Sequence, residues 1–121
     1  MTENLKEARQ KELKQIAVKK ELEIARKIQE AILPGNFPGI KNYRIISFYK
    51  PSIEIGGDYF DIISVDDDKF GIIVSDIAGK GIPAALMMMM FSGIFKIKAK
   101  ENFNPKTLIC NLNNELISRF S

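Results

Sequence analysis

The feature that most constrains the fold is an uninterrupted stretch from about Leu5 to Leu33 that contains neither glycine nor proline. Leucine, alanine, glutamate, lysine, glutamine and arginine dominate this stretch, and all of them favour the α-helix. Pro34 and Gly35 follow and end the pattern. At a rise of about 1.5 Å per residue such a helix is about 40 Å long, which is more than a small domain can cover. We therefore predict one long N-terminal helix, part of which projects.

Two adjoining apolar stripes run along this predicted helix. One contains Leu13, Ala17, Ile24, Ile28 and Ala31, and the other contains Val18, Leu22, Ala25 and Ile32. Together they are wider than a minimal coiled-coil seam. Because a lone helix of marginal stability rarely persists without a packing partner, the helix either lies against its own domain or dimerises and carries a signal. Residues 1–34 are accordingly predicted to be a helical linker that can form a coiled coil and a homodimer.

Residues 35–121 predict an α+β fold. Three extended segments are expected at Tyr43–Tyr49, Asp58–Val65 and Phe70–Ser75, and the last two should form a hairpin through the turn at residues 66–69. Two helices follow, and each has a proline in its first turn. Pro83 precedes an apolar run with four methionines, which we expect to be buried on most sides, and Pro105 follows a capping Asn104. Three strands and two apolar helices make an incomplete layered structure, so further strands should come from later residues or a partner.

The composition excludes several kinds of catalytic site. The chain of 121 residues has no histidine and a single cysteine, Cys110, which excludes Cys/His zinc sites and His-dependent nucleophilic triads. Cys110 lies in an apolar segment and is expected to pack as a small hydrophobe. The net charge is only +3, and basic residues mix with glutamates, so binding to nucleic acid or acidic lipid is not favoured. Any chemistry should therefore depend on carboxylates or a metal ion.

Neither the N-terminal segment nor the longest apolar run of the chain predicts a membrane protein. The N-terminal segment is highly charged, unlike a signal peptide. The apolar run Gly81–Ile97 is broken by Pro83, Ser92, Gly93 and Lys96, and it falls short of the pattern expected of a membrane span. We expect no membrane segment in this chain and a cytoplasmic, reducing location.

Two acidic residues stand at the same end of the predicted hairpin. Asp58 follows Gly56 and Gly57 and opens one strand, while Asp76 closes the next. If the strands pair through the intervening turn, the two carboxylates lie together. Carboxylates this close repel each other unless a cation lies between them, and Mg²⁺ and Mn²⁺ prefer oxygen ligands. Aspartates at strand ends also serve as turn formers or helix caps, so the spacing alone leaves both interpretations open.

Three segments in order carry a more specific signal: ARKIQEAILP, FYKPSIEIGGDYFDI and FGIIVSDIAGKGIPAALMM. Together they resemble the SpoIIE/RsbU-like branch of the PPM (type 2C) metal-dependent serine/threonine protein phosphatases, over about Glu21 to Arg119. The resemblance implies the N-terminal portion of a PPM-type layered β-sandwich with flanking helices. It also implies a helical linker ahead of the domain that joins it to sensor domains and controls it.

The resemblance further implies roles for individual residues. Asp58 and Asp76 would be the catalytic metal ligands of a centre for two Mn²⁺ or Mg²⁺ ions, and Ile77 would add a backbone carbonyl. Asp61 is three residues beyond Asp58 and so points to the other face of the strand, where we expect it to support the site rather than bind metal. Lys80 matches the motif lysine, and it either assists a phosphate or is a solvated loop residue.

The reaction implied by the resemblance is metal-assisted hydrolysis of phosphoserine or phosphothreonine on a regulatory protein, such as an anti-sigma-factor antagonist, in bacterial-type signalling. In such sites two ions about 3.5–4 Å apart activate a bridging water and stabilise the phosphoryl charge. The family's later acidic motifs have no counterpart before Ser121, so this chain by itself is expected to hold metal weakly.

Two hypotheses about the helix remain at this point. Movement of its Leu22–Ile32 face is expected to reposition the following helix start at Gly79–Ala85, and with it Asp76. The competing interpretation is a non-enzymatic module, in which the helix dimerises and the globular part merely folds behind it. The motifs favour the enzyme, and the missing later motifs leave the module open.

Overall fold

The computed structural model describes residues 2–37, 39–51 and 53–120. The elements are α1 (Thr2–Ile32), β1 (Asp58–Ser64), β2 (Phe70–Asp76), α2 (Ile82–Glu101) and α3 (Pro105–Phe120). The α+β class and the long N-terminal helix are confirmed, and the bounds of these five elements lie within a few residues of the predicted ones.

The first of the three predicted strands does not form. Residues 44–50 belong to no ladder, and the nearest pairing in the described part of the chain is an isolated bridge between Ile40 and Tyr43. Two of the side chains in this segment, Ile46 and Phe48, are 78% and 87% exposed. Aromatic and β-branched residues fit a pleated, half-buried surface, but they form a strand only when a neighbour pairs with them. The sheet of the described residues is therefore two-stranded rather than three-stranded.

The predicted hairpin is confirmed, including its turn. Its register pairs Asp58 with Asp76 at the open end of the two strands. At the other end, the N–H of Val65 donates to the carbonyl of Lys69 over 2.9 Å. The acidic residues 66–68 are exposed, and the Oδ1 of Asp66 accepts a hydrogen bond from a backbone N–H two residues later over 2.8 Å, which is the local bonding that favours aspartate in turns.

The core lies between one face of the hairpin and the two following helices. Its buried centre consists of Tyr59, Met88, Phe95, Ala99, Leu108 and Leu112. The Tyr59 ring makes edge contacts with Phe91 and Phe95, with centroids 6.0 and 6.2 Å apart, a geometry that aromatic quadrupoles favour. The fully buried side chain of Tyr59, the residue after Asp58, therefore anchors the start of β1 in the core.

Helix α2 is less enclosed than the sequence predicts. Met88 is fully buried, but Leu86 and Ile97 on the outer face are 65% and 61% exposed. By length and composition α2 could cross a membrane, although core helices of soluble proteins have the same properties. Because only one side of α2 faces the hairpin, the helix is half enclosed rather than buried on most sides, although none of Met87–Met90 is exposed.

The prediction that Cys110 packs as a small hydrophobe is wrong. Cys110 is exposed. The residues of α3 that enter the core are Leu108 and Leu112, four positions apart on one helix face. A residue midway between them projects from the other side of the helix.

Candidate functional site

Asp58 and Asp76 lie directly opposite each other at the open end of the hairpin. They are Cα partners in the register, and both side chains reach solvent. Partial loss of hydration, a side-chain hydrogen bond with Asp76 and the charge of Asp76 raise the pKa of Asp58 above its ordinary value. A hydrogen bond between two carboxyl groups requires that one of them holds a proton. A divalent cation would relieve the same repulsion without that proton.

The backbone ahead of Asp58 packs closely against the end of β2. The N–H of Ile77 donates to the carbonyl of Gly57 over 3.2 Å. A Cβ at Gly57 would lie 3.0 Å from the carbonyl oxygen of Ile77 and 3.2 Å from the Cβ of Ala84. A side chain at Gly57 would therefore force its neighbours to shift by a few tenths of an ångström, so the close approach favours glycine. The structure brings the Ile77 carbonyl to the same end of the hairpin as Asp58 and Asp76.

A glycine-bounded turn connects this end of the hairpin to α2. Gly79 and Gly81 have φ angles of 99° and 76°, which other residues adopt only with strain. Pro83 then lies in the first turn of α2, as predicted. Lys80, between the two glycines, is exposed, and this position leaves both of its predicted roles open.

Asp61 lies on the opposite face of β1 from the acidic pair, as predicted. It is 8% exposed, and its Oδ2 accepts a hydrogen bond from the Tyr59 hydroxyl over 2.7 Å. Its Oδ1 accepts the N–H of Ile62 over 2.8 Å. Burial, together with the hydrogen bond to Asp61 and its charge, raises the pKa of Tyr59. Both oxygens of Asp61 are therefore engaged on the core side of the strand.

The sequence analysis missed Gln29, which connects α1 to the acidic end of the hairpin. Gln29 is 2% exposed on a helix whose residues are mostly exposed. Its Nε2 donates to the Gly56 carbonyl, and its Oε1 accepts the Gly56 N–H over 3.2 Å, so the side-chain amide pairs with Gly56 as a neighbouring strand would. The available signal was a polar residue inside the apolar Leu22–Ile32 stripe.

The acidic pair is a small ligand set. Among the described residues, no group of three or more Asp, Glu, Cys or His side chains lies close enough together to hold a metal ion. Mg²⁺ requires close to six oxygen ligands in near-octahedral geometry. Asp58, Asp76 and the Ile77 carbonyl fit such an ion chemically, but water, a phosphate or further residues would have to complete its coordination.

The fold and the site together define an α+β unit with two facing carboxylates bordered by glycine turns. Residues 66–121 match the family model described as Stage II sporulation protein E (SpoIIE). The chain is 33% identical over 102 residues to phosphoserine phosphatase RsbP of Bacillus subtilis, which covers 84% of this chain and 25% of that protein.

Two further relatives match this chain over a similar length. Phosphoserine phosphatase RsbU of Bacillus subtilis is 31% identical over 96 residues, which covers 79% of this chain and 28% of RsbU. Protein IcfG of Synechocystis sp. is 30% identical over 93 residues, which covers 77% of this chain and 15% of IcfG. The chain thus spans between about a seventh and just over a quarter of the length of these relatives. The resemblance to the SpoIIE/RsbU-like branch of the PPM phosphatases is confirmed as homology over part of the chain.

Proposed function

We propose that this chain takes part in the metal-dependent hydrolysis of phosphoserine or phosphothreonine on a regulatory protein. The observation that carries the proposal is the direct pairing of Asp58 with Asp76, beside the carbonyl of Ile77. Homology to two proteins named phosphoserine phosphatases supports the class of reaction. Two Mn²⁺ or Mg²⁺ ions would supply an activated water and stabilise the charge on the phosphoryl oxygens.

The residues of this chain would have distinct roles in the reaction. Asp58 and Asp76 would bind the ions and Ile77 would add its carbonyl, while Gly57 permits the close approach of the two backbone segments. The exposed Lys80, on the turn after Asp76, would attract the phosphate electrostatically. The ligands that complete the two-metal centre would come from outside the described residues, in keeping with the part of the relatives that this chain spans.

A regulatory phosphoprotein is the proposed substrate, with an anti-sigma-factor antagonist as the example, in a cytoplasmic signalling pathway. We propose a homodimer through α1 because several large apolar side chains along it remain exposed. These include Leu5, Leu13, Ile16, Ile24 and Ile28. A helix with such residues on its free face gains stability from a second helix.

Helix α1 is proposed to control the site. The predicted route runs from α1 to the start of α2, and an apolar cleft between the two helices is lined by Leu22, Ile82 and Ala85, among others. A second and more direct route runs through Gln29, which is bonded to Gly56, two residues before Asp58. Movement of α1 would therefore act on Asp58 as well as on the turn that follows Asp76.

Hydrolysis of a phosphoserine peptide by the chain, with and without Mn²⁺, tests the enzymatic proposal. Because the chain by itself is expected to hold metal weakly, we expect slow phosphate release that depends on Mn²⁺ and is lost in Asp76→Asn. Asp67→Asn is the matched control, because it makes the same chemical change in the exposed hairpin turn, and it should keep the activity. Equal activity of Asp76→Asn and the unmodified chain would contradict the assignment.

A non-enzymatic dimerisation module is the second candidate, favoured by the exposed apolar residues of α1 and by the two-carboxylate ligand set. Sedimentation equilibrium distinguishes the two. A concentration-dependent dimer that dissociates in Ile24→Glu, combined with no Mn²⁺-dependent phosphate release, would favour the module over the enzyme.

A further inference from the structure

Tyr49 places a buried hydroxyl against the segment that leads into the acidic pair. The oxygen is inaccessible to solvent and has no hydrogen-bond partner among the residues that the structure describes. It lies 3.5 Å from the position that a Cβ on Gly56 would occupy, so it touches the segment that leads into Asp58. The Tyr49 ring packs against Phe60 with centroids 6.3 Å apart. Tyr49 also lines the same surface pocket as Asp58 and Asp76.

An unpaired buried hydroxyl has an unfavourable effect on stability, because it loses water without gaining a partner. Such a group in a folded protein calls for an explanation, for example a role at a functional site. Burial and the charges of Asp58 and Glu30 raise the pKa of Tyr49, while Arg26 acts in the opposite direction. A tyrosine hydroxyl keeps its proton at neutral pH even without such a shift, so Tyr49 is available as a hydrogen-bond donor.

We propose that Tyr49 is a positioning residue for Asp58: its hydroxyl donates the hydrogen bond that holds the Asp58 carboxylate when a divalent cation lies between Asp58 and Asp76. This inference rests on the proposed metal site and adds to it a residue that does not itself bind metal. Asp58 and Asp76 are Cα partners at the open end of the hairpin, and Tyr49 lines the same surface pocket as both. A carboxylate has more acceptor positions than one bound cation uses, so Asp58 could bind a cation and still accept from Tyr49. Donors of this kind commonly orient metal ligands.

Tyr49→Phe is the sharpest test because it removes only the hydroxyl and keeps the ring that packs on Phe60. Binding of Mn²⁺ to the full chain is measured by electron paramagnetic resonance of the free ion, which needs no turnover. We expect about tenfold weaker binding, as for other residues that orient a ligand. The thermal midpoint of the metal-free chain, followed by circular dichroism, should be unchanged or higher, since an unpaired buried hydroxyl has been removed.

Tyr43→Phe is the matched control. Tyr43 is 68% exposed, and its ring meets the edge of Phe70 with centroids 5.9 Å apart. Loss of its hydroxyl should change neither the Mn²⁺ affinity nor the midpoint.

Asp76→Asn distinguishes a failure of the proposed metal site from a failure of the proposed role of Tyr49. If Asp76→Asn weakens Mn²⁺ binding and Tyr49→Phe leaves it unchanged, the metal site stands and the role of Tyr49 is overturned. If Tyr49→Phe lowers the metal-free midpoint along with the affinity, Tyr49 is a structural residue and the proposal is again overturned. If the unmodified chain binds no Mn²⁺, both the metal site of this chain and the role of Tyr49 fail together.

Discussion

Replacing Gln29 by leucine tests the contact between α1 and the segment that leads into Asp58. Leucine is close in size to glutamine and keeps the apolar contacts of this helix face. It removes both hydrogen bonds to Gly56, one accepted by the carbonyl and one donated by the N–H. Gln29 is 2% exposed, so water cannot replace its amide group unless α1 moves away.

The expected loss of stability follows from these two bonds. A backbone N–H or carbonyl left without a partner in a buried site lowers stability by about 1–3 kcal/mol. Because Gly56 is only half-buried, we expect each of its two groups to lie near the lower end of this range. Two such groups give a loss of about 2–4 kcal/mol. Burial of the more apolar leucine offsets about 1 kcal/mol of this loss. We expect a net loss of about 1–3 kcal/mol in the free energy that holds α1 on the hairpin.

Two measurements check the value. Urea unfolding followed by circular dichroism gives the free energy of unfolding, and amide hydrogen exchange reports the Gly56 N–H itself. Gln29→Leu should lower the free energy of unfolding. It should also speed hydrogen exchange of the Gly56 N–H by about ten- to a hundredfold, since 1.4 kcal/mol corresponds to a factor of about ten. Gln10→Leu, an exposed position on the same helix, is the control and should stay within about 0.5 kcal/mol.

One outcome would refute this reasoning. If the Gly56 N–H of Gln29→Leu exchanges as slowly as in the unmodified chain and the unfolding free energy changes by less than about 0.5 kcal/mol, the two hydrogen bonds do not hold α1 in place. Control through Gln29 would then have no energetic basis, and the cleft between α1 and α2 would be the remaining route.

Three further substitutions probe the support of the site, each by urea unfolding. Gly57→Ala adds a Cβ that lies 3.0–3.2 Å from its neighbours and should cost about 1–3 kcal/mol, whereas Gly93→Ala in α2 meets nothing within 4 Å and should stabilise by about 0.5–1 kcal/mol. Gly81→Ala should cost about 1–3 kcal/mol because its φ of 76° strains any side chain. Tyr59→Phe should cost about 1–3 kcal/mol, since Asp61 then loses its hydroxyl donor. A Gly57→Ala as stable as Gly93→Ala would contradict the close packing.

The parts of the fold that the sequence predicted correctly depend on local signals. The Asn104 side chain accepts the N–H of Thr107 over 3.2 Å, as expected of a helix cap followed by Pro105. The hairpin follows from a four-residue acidic turn between two β-branched runs. In each case residues only a few positions apart determine the structure, so the cap and the turn can be predicted from the sequence.

The failure at Cys110 is local, since Cys110 lies midway between the two core residues Leu108 and Leu112; the other failures concern contacts between distant residues. Whether residues 43–49 form a strand depends on a neighbour to pair with, and the described residues do not provide one. The outer face of α2 is open for the same reason. Gln29 bonds to a residue 27 positions away, and no periodic pattern indicates the partner of a single polar residue. The pairing of the two aspartates was predictable only because the hairpin turn fixes the register between them.

These long-range contacts converge on the start of β1. Asp76 faces Asp58 across the hairpin, Gln29 holds Gly56 from the side of α1, and the Tyr49 hydroxyl lies against Gly56 from another side. Gly56 is separated from Asp58 by one residue, Gly57, whose lack of a side chain lets the backbone pack directly on the end of β2. A displacement of α1 at Gln29 would therefore be transmitted to Asp58 through only two peptide units, from Gly56 to Asp58. Cation binding at Asp58 should in turn favour the docked position of α1, since coupling between two sites acts equally in both directions.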